Sequence, residues 1–166
     1  MADLYEIIEN KRKYWDKKSC SSPAEWFDKL DRTCTVYVGN LTFTTPEERI
    51  HQVFRMVGQI DHVTMGLNSV TLSPCGFAFV TYKDSEHAKQ SVHALNGCYI
   101  DGRVIRVDLD AGNGVDDNRK LARGLDGNQW RDAFRDDFDI ARGGSGLGIS
   151  PESLNNYNRN FKKQRR

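Results

Sequence analysis

The octamer Cys75-Gly76-Phe77-Ala78-Phe79-Val80-Thr81-Tyr82 decides the fold of this 166-residue chain. It is β-prone, and side chains alternate along a strand, so Phe77 and Phe79 share one face while Ala78 and Val80 share the other. One face is expected to join a core and the other to form an aromatic platform. Large aromatic side chains on an open face are costly to leave in water unless something stacks on them. Taken alone, the octamer also fits a strand whose rings are ordinary core.

A second stretch of sequence favours the aromatic platform over ordinary core. Val36-Tyr37-Val38-Gly39-Asn40-Leu41 lies upstream and alternates in the same way, with Tyr37 opposite the valines. The octamer fits the pattern K/R-G-F/Y-G/A-F-V-x-F/Y at every position but the first, which is Cys75. Together the two stretches resemble an RNA recognition motif. The resemblance implies that they are the central strands of a four-stranded sheet, with Tyr37, Phe77 and Phe79 together on its exposed face.

The remaining periodicity predicts the order βαββαβ, the split βαβ or ferredoxin-like fold of the α+β class. The predicted elements are a strand at 36–41, a helix opened by a capping box at 45–48, strands at 60–67 and 75–82, a helix opening at 84–85, and a strand at 103–110. We expect a single RNA recognition motif at 34–112, flanked by an N-terminal arm at 1–33 and a C-terminal arm at 113–166.

Both arms carry aromatic residues. In the N-terminal arm, Ser22 and Glu25 form a capping box that opens a short helix, and the arm is expected to dock onto another surface. In the C-terminal arm, the spacing of Trp130, Phe134 and Phe138 fits a short amphipathic helix. A Gly-rich, flexible stretch at 143–146 and a basic tail at 162–166 follow, the latter either a nuclear import signal or a solvated end.

The composition of the chain argues against several classes of function. A net charge of +1 argues against binding nucleic acid mainly through phosphate neutralisation. The four cysteines lack zinc-ligand spacing, and the four histidines lack a partner motif, so we expect no metal, no cofactor and no enzyme. Because there is no signal peptide or long apolar run, we expect reduced thiols, a soluble intracellular protein and no membrane contact.

The last predicted strand carries an unusual pattern. Its alternation directs Arg106, Asp108 and Asp110 to the same face as the aromatic residues. The two carboxylates either solvate a strand end or accept hydrogen bonds from a base, and guanine offers adjacent N1–H and N2 amine donors. A guanine methylated at N7 is a cation, which aromatic faces attract. Tyr37 supplies one ring, and Tyr14 or Trp15 in the N-terminal arm is a candidate for a second.

With these features the chain resembles the family of small subunits of the nuclear cap-binding complex. The residues that carry the resemblance are Tyr14, 34–41, 65–67, 75–77, 105–112, Arg123-Gly124, Gln129, Arg131-Asp132 and 141–144. The resemblance implies that Tyr14 and Tyr37 sandwich the methylated guanine and that Asp108 and Asp110 read its edge. It also implies that Arg106 braces the pocket and that Phe77 and Phe79 form its floor.

The resemblance further implies that the triphosphate is held by Arg119, Arg123, Gln129 and Arg131, since guanidinium forks suit phosphate oxygens. This chain departs from the family at Leu109, where a tryptophan is usual, and at Trp130, where a small aliphatic is common. Trp130 is expected either to anchor the arm in a buried position or to contact the second nucleotide.

The implied ligand is the 7-methylguanosine cap of RNA polymerase II transcripts. The implied partner is a large helical-repeat subunit, which forms a heterodimer with this chain and contacts the helical face of the domain. The implied roles are pre-mRNA splicing, RNA export and decay in the nucleus, with or without shuttling to the cytoplasm. Two alternatives stay open: a generic single-stranded RNA-binding splicing factor, and an RNA-recognition fold used for protein contacts.

Overall fold

The computed structural model describes residues 15–17, 20–112 and 118–146. Its helices are α1 (Pro23–Arg32), α2 (Glu47–Phe54), α3 (Ser85–Leu95) and α4 (Trp130–Phe134). Its strands are β1 (Thr35–Gly39), β2 (Ile60–Leu67), β3 (Pro74–Tyr82), β4 (Tyr99–Ile100), β5 (Arg103–Val104), β6 (Arg106–Asp110), β7 (Phe138–Asp139) and β8 (Gly144–Ser145). Single 3₁₀ turns lie at Leu125–Gly127 and Ile140–Arg142.

The central sheet is antiparallel, with the strand order β2-β3-β1-β6. The α+β fold with the two signature stretches at the centre of a four-stranded sheet is therefore confirmed. Helices α2 and α3 cover one face, where the alternating aliphatic residues of the strands form the main core. Its buried members are Val36, Val38, Leu41, Ile50, Phe54, Ala78, Val80, Tyr82, Ala88, Leu95, Ile100, Ile105 and Val107.

Local side chains explain where the helices begin. Ser22 caps α1 by accepting a hydrogen bond from the Glu25 amide at 3.2 Å, as the sequence predicted. The Asp84 side chain caps α3 in the same manner. The capping box predicted for α2 is wrong, because the Thr45 hydroxyl donates instead to Asp101 at 2.9 Å and α2 begins after Pro46 without a side-chain cap.

The opposite sheet face is covered by both arms, which corrects the expectation of an exposed aromatic platform. Phe77 and Phe79 are only 4% and 3% exposed. They form a second apolar cluster with Cys75 and Ala122, the latter contributed by the C-terminal arm. Trp26 of α1, buried at 1% exposure, packs above the same face. The described parts of the arms therefore cover this face of the sheet and leave a cavity between themselves and the strands.

Hydrogen bonds fasten the C-terminal arm to the sheet. Leu121 forms a parallel bridge with Leu67 at the end of β2. The helix predicted from the spacing of aromatic residues is shorter than expected, because α4 ends at Phe134 and Phe138 lies in β7. The glycines at 143–146 were expected to be flexible, but β8 pairs with β7. In the described ranges, the longest and most apolar helices fall short of what a membrane crossing requires.

Candidate nucleic-acid interface

A cavity of about 690 Å³ lies between the sheet and the arms. Its floor is the sheet, and its walls come from α1, α3, β6 and the C-terminal arm. The lining residues are Trp26, Phe27, Leu30, Tyr37, Phe77, Phe79, Val92, Arg106, Asp108, Leu109, Arg119, Leu121, Ala122, Arg123, Gln129, Trp130 and Arg131. The volume falls in the range of small-molecule sites, and the lining combines an apolar floor with a few charged groups.

Three rings form the aromatic floor. Tyr37 lies 6.0 Å from Phe77 and 5.7 Å from Phe79 between ring centroids, and the two phenylalanines pack edge to face. Such tilted arrangements fix the rings relative to one another. Tyr37 is half-buried, whereas both phenylalanines are nearly covered. Tyr37 is therefore the floor ring with the most surface available for stacking.

The phenol of Tyr37 is held by the C-terminal arm. Gln129 Nε2 donates a hydrogen bond to the Tyr37 oxygen at 3.0 Å. Burial raises the pKa of Tyr37, and this hydrogen bond partly opposes the increase. The ring lies over Gly39, where an added Cβ would meet the Tyr37 ring at 2.8 Å. The orientation of Tyr37 is thus fixed from both sides.

Two carboxylates of β6 have different surroundings. Tyr37 pairs with Asp108 across β1 and β6, so the predicted shared face is confirmed. Asp108 lines the cavity and forms an ion pair with Arg106 at 2.5 Å. Asp110 is 3% exposed, and its carboxylate is bound by both terminal nitrogens of Arg119. Asp108 is therefore the β6 carboxylate that borders the cavity.

Arg119 lines the cavity, but its side chain is only 8% exposed. Its guanidinium lies 5.6 Å from the Trp26 ring and 5.2 Å from the Phe79 ring, between α1 and β3. It also lies near the buried Asp16, with 3.4 Å between Arg119 Nε and Asp16 Oδ2. Arg119 thereby connects the N-terminal arm, the sheet and the C-terminal arm at one point.

The rim of the cavity is cationic and aromatic. Arg123 is an exposed residue whose guanidinium pairs with Asp16 at 3.0 Å. Burial and the nearby charge of Arg142 lower the pKa of Arg131. Trp130 is 38% exposed and stacks on Phe134 with 6.3 Å between centroids, so the expectation of a buried anchor is wrong. The rim offers guanidinium donors and an aromatic face to whatever enters.

The structure brings together most residues that the sequence singled out. Tyr14 lies outside the described residues, so its predicted place opposite Tyr37 stays a prediction. The sequence did not indicate the buried charges of Asp16, Asp132 and Arg142, which hold the arms in place. Sequence spacing gives no signal for them, because Arg123 pairs with Asp16 across 107 positions, and Asp132 and Arg142, ten positions apart, lie in different elements.

The sheet order and the aromatic central strands define an RNA recognition motif fold, and the family model described as RNA recognition motif matches residues 36–106. Over 137 residues the chain is 42% identical to the nuclear cap-binding protein subunit 2 of Drosophila willistoni, covering 82% of this chain and 88% of that protein. It is 41% identical over 146 residues to the protein of the same name from Dictyostelium discoideum. The chain belongs to the nuclear cap-binding protein subunit 2 family.

The match to the Dictyostelium protein covers 88% of this chain but only 61% of that relative's length. Among solved structures, one titled "Structure of RNA15 RRM" is 24% identical and aligns with a TM-score of 0.48, covering 51% of this chain and 98% of the other.

Proposed function

We propose that this protein binds the 7-methylguanosine cap of RNA polymerase II transcripts as the small subunit of the nuclear cap-binding complex. The observation that carries the proposal is the direct pairing of Tyr37 with Asp108 at a cavity rimmed by arginines. A stacking ring beside a carboxylate suits a cationic base with two donors, and the arginines suit its phosphates. Membership of the nuclear cap-binding protein subunit 2 family supports the same ligand.

In the proposed complex, the positive charge of N7-methylated guanine lies over the face of Tyr37. A desolvated cation–π contact contributes about 2 kcal/mol, and a second ring on the other side would bring the gain to about 4 kcal/mol. That gain corresponds to about a thousandfold preference over the neutral base. We expect Tyr14 to be the second ring, with Trp15 as its neighbour in the same arm.

The edge of the guanine is assigned to β6. Asp108 accepts hydrogen bonds from the N1–H and the N2 amine, and Arg106 orients that carboxylate from the adjacent position on the same face. Asp110 contributes through its pair with Arg119, which holds the floor under Trp26 in place. In this proposal Phe77 and Phe79 support Tyr37 from below.

The triphosphate is assigned to the arginine rim. Arg123 and Arg131 line the cavity, and guanidinium groups donate paired hydrogen bonds to phosphate oxygens. Gln129 lines the same wall, and Trp130 presents its ring beside them for the next nucleotide. Arg119 acts in this scheme by holding Asp110 and the arms, because its side chain is only 8% exposed, whereas the Arg123 side chain, which also pairs with a carboxylate, is 32% exposed.

The family also supports a cellular setting. We expect the protein to act in a heterodimer with a large helical-repeat subunit that contacts the helical face formed by α2 and α3. We expect it in the nucleus, with or without shuttling, and we assign it to pre-mRNA splicing, RNA export and decay of capped transcripts. The binding role itself requires no covalent chemistry.

A generic single-stranded RNA-binding domain is the competing function, because the octamer and hexamer fit that class. Such domains stack bases on open aromatic side chains of the central strands. Here Phe77 and Phe79 lie under the arms at 4% and 3% exposure, which disfavours them as a base platform.

The test is a fluorescence titration of the full chain, alone and with its large partner, using capped dinucleotide methylated or unmethylated at N7 and an uncapped single-stranded RNA. We expect a preference of about a hundredfold or more for the methylated cap. Equal binding of both dinucleotides, with the partner present, would refute cap recognition, and tighter binding of the uncapped RNA would favour the generic domain.

A further inference from the structure

Arg142 lies behind the cavity wall, in the C-terminal arm, and its side chain is only 1% exposed. All its hydrogen-bond donors are engaged. A guanidinium carries five N–H donors, and Arg142 makes five hydrogen bonds at 2.7 to 3.1 Å. The acceptors are the backbone oxygens of Leu41 and Gly76, both carboxylate oxygens of Asp132, and Oε1 of Gln129.

The octamer glycine makes room for this guanidinium. A Cβ added at Gly76 would lie 1.7 Å from Arg142 Nη1, and the backbone φ at Gly76 is +87°. Both the close approach and the left-handed backbone therefore require glycine at this position. Arg142 is thus inserted between β3 and the Leu41 turn, directly beside the strand that carries Phe77 and Phe79.

The same guanidinium determines which way the amide of Gln129 points. Arginine can only donate, so the Gln129 oxygen faces Arg142 at 2.9 Å and the amide nitrogen must face Tyr37. That nitrogen donates to the Tyr37 oxygen at 3.0 Å. A continuous path of two hydrogen bonds therefore links the buried Arg142 to the ring on which the cap is proposed to stack.

We propose that Arg142 is a positioning residue for cap recognition, which sets the orientation of the Tyr37 ring through Gln129. The inference rests on the proposed function, because it assigns Tyr37 as the stacking ring. Arg142 itself lies behind the wall formed by the described lining residues, so its effect on ligand affinity must pass through another side chain.

A double-mutant cycle tests the path. Arg142→Lys keeps the charge beside Asp132 but removes the planar fork, and Tyr37→Phe keeps the ring but removes the oxygen that accepts from Gln129. We expect Arg142→Lys to weaken binding of the methylated capped dinucleotide about tenfold in the wild-type background, and about twofold or less with Tyr37→Phe.

Arg135→Lys is the matched control. Arg135 belongs to the same arm and donates to the Gly144 and Arg142 backbone oxygens, at 2.9 and 3.3 Å. Its replacement loosens the arm while the path from Arg142 to Tyr37 keeps all of its members. We therefore expect the control to change cap affinity about twofold or less, even where it lowers the thermal midpoint.

Gln129→Met covers the case in which Arg142→Lys does not fold. It breaks the same path while the Arg142 bonds to Leu41, Gly76 and Asp132 remain, and it must show the same coupling to Tyr37→Phe. Additive losses in the cycle, or an equal loss in Arg135→Lys, would overturn the positioning role. Wild-type protein that ignores N7 methylation would instead refute the proposed function, so the two failures are distinguishable.

Discussion

Replacing Gly76 by alanine is expected to unseat Arg142 and destabilise the fold far more than a typical substitution. The new Cβ would meet Arg142 Nη1 at 1.7 Å and the Leu41 oxygen at 2.8 Å, so the guanidinium must leave. Its departure removes the main partner of the buried Asp132, which costs about 3 to 5 kcal/mol. The left-handed backbone adds about 1 to 2 kcal/mol for a residue with a Cβ.

Gly97→Ala separates these two contributions. Gly97 has nearly the same φ, +85°, but a Cβ added there would meet none of the described atoms within 4 Å. Its cost should be the backbone strain alone, about 1 to 2 kcal/mol. The difference between the variants, about 3 kcal/mol or more, corresponds to a urea midpoint lower by about 1.5 M in Gly76→Ala.

The assay is urea unfolding followed by tryptophan fluorescence, since Trp26 is buried in the folded protein. Equal destabilisation by the two alanine substitutions would refute the argument that Gly76 makes room for Arg142. A second check is the background Arg142→Ala, in which Gly76→Ala should add only the backbone strain and the close contact with the Leu41 oxygen.

Three further outcomes follow from the site. Arg131→Gln should weaken binding of the capped dinucleotide about tenfold but leave binding of the 7-methylguanosine nucleoside unaffected. The control Arg55→Gln, outside the cavity lining, should change neither affinity. Equal losses of affinity for both ligands in Arg131→Gln would contradict a phosphate contact. Burial raises the pKa of Cys75 to about 12, so iodoacetamide should label the exposed Cys98 in the folded protein and label Cys75 only in urea. Mass spectrometry of the labelled peptides measures the two reactions separately. Because this pKa is raised from 9.0, Cys75 contributes stability below pH 9 that is lost as the pH rises toward 12. The urea midpoint of the wild-type protein should therefore fall over this pH range, and Cys75→Ala should make the fall smaller. An equal fall in Cys75→Ala would contradict the contribution of the buried thiol.

The sequence predicted the central domain well because its signals are local. Alternation fixed the faces of the strands, and the pairing of Tyr37 with Phe79 and Asp108 follows from two neighbouring strands. The capping side chain of α3 also lies next to its helix. Such features require only a few adjacent residues, so they can be read without knowing the tertiary structure.

The arms could not be predicted in the same way. Arg142 binds the Leu41 oxygen across 101 positions of sequence, and Arg123 binds Asp16 across 107. Long-range contacts of this kind leave no spacing pattern, so the buried roles of Asp16 and Arg142 were missed. The burial of Phe79 was also missed, because the residues that cover its ring come from both arms, far from Phe79 in the sequence.

In the proposed complex, the Tyr37 ring recognises the charge of the methylated base. The most direct measurement is the ratio of affinities for methylated and unmethylated capped dinucleotide in Tyr37→Ala and Tyr37→Phe, for the full chain with its large partner. From a wild-type preference of about a hundredfold, we expect phenylalanine, which keeps the ring but loses the hydrogen bond from Gln129, to retain about tenfold or more, and alanine to retain about threefold or less. An undiminished preference in the alanine variant would show that the Tyr37 ring does not recognise this charge.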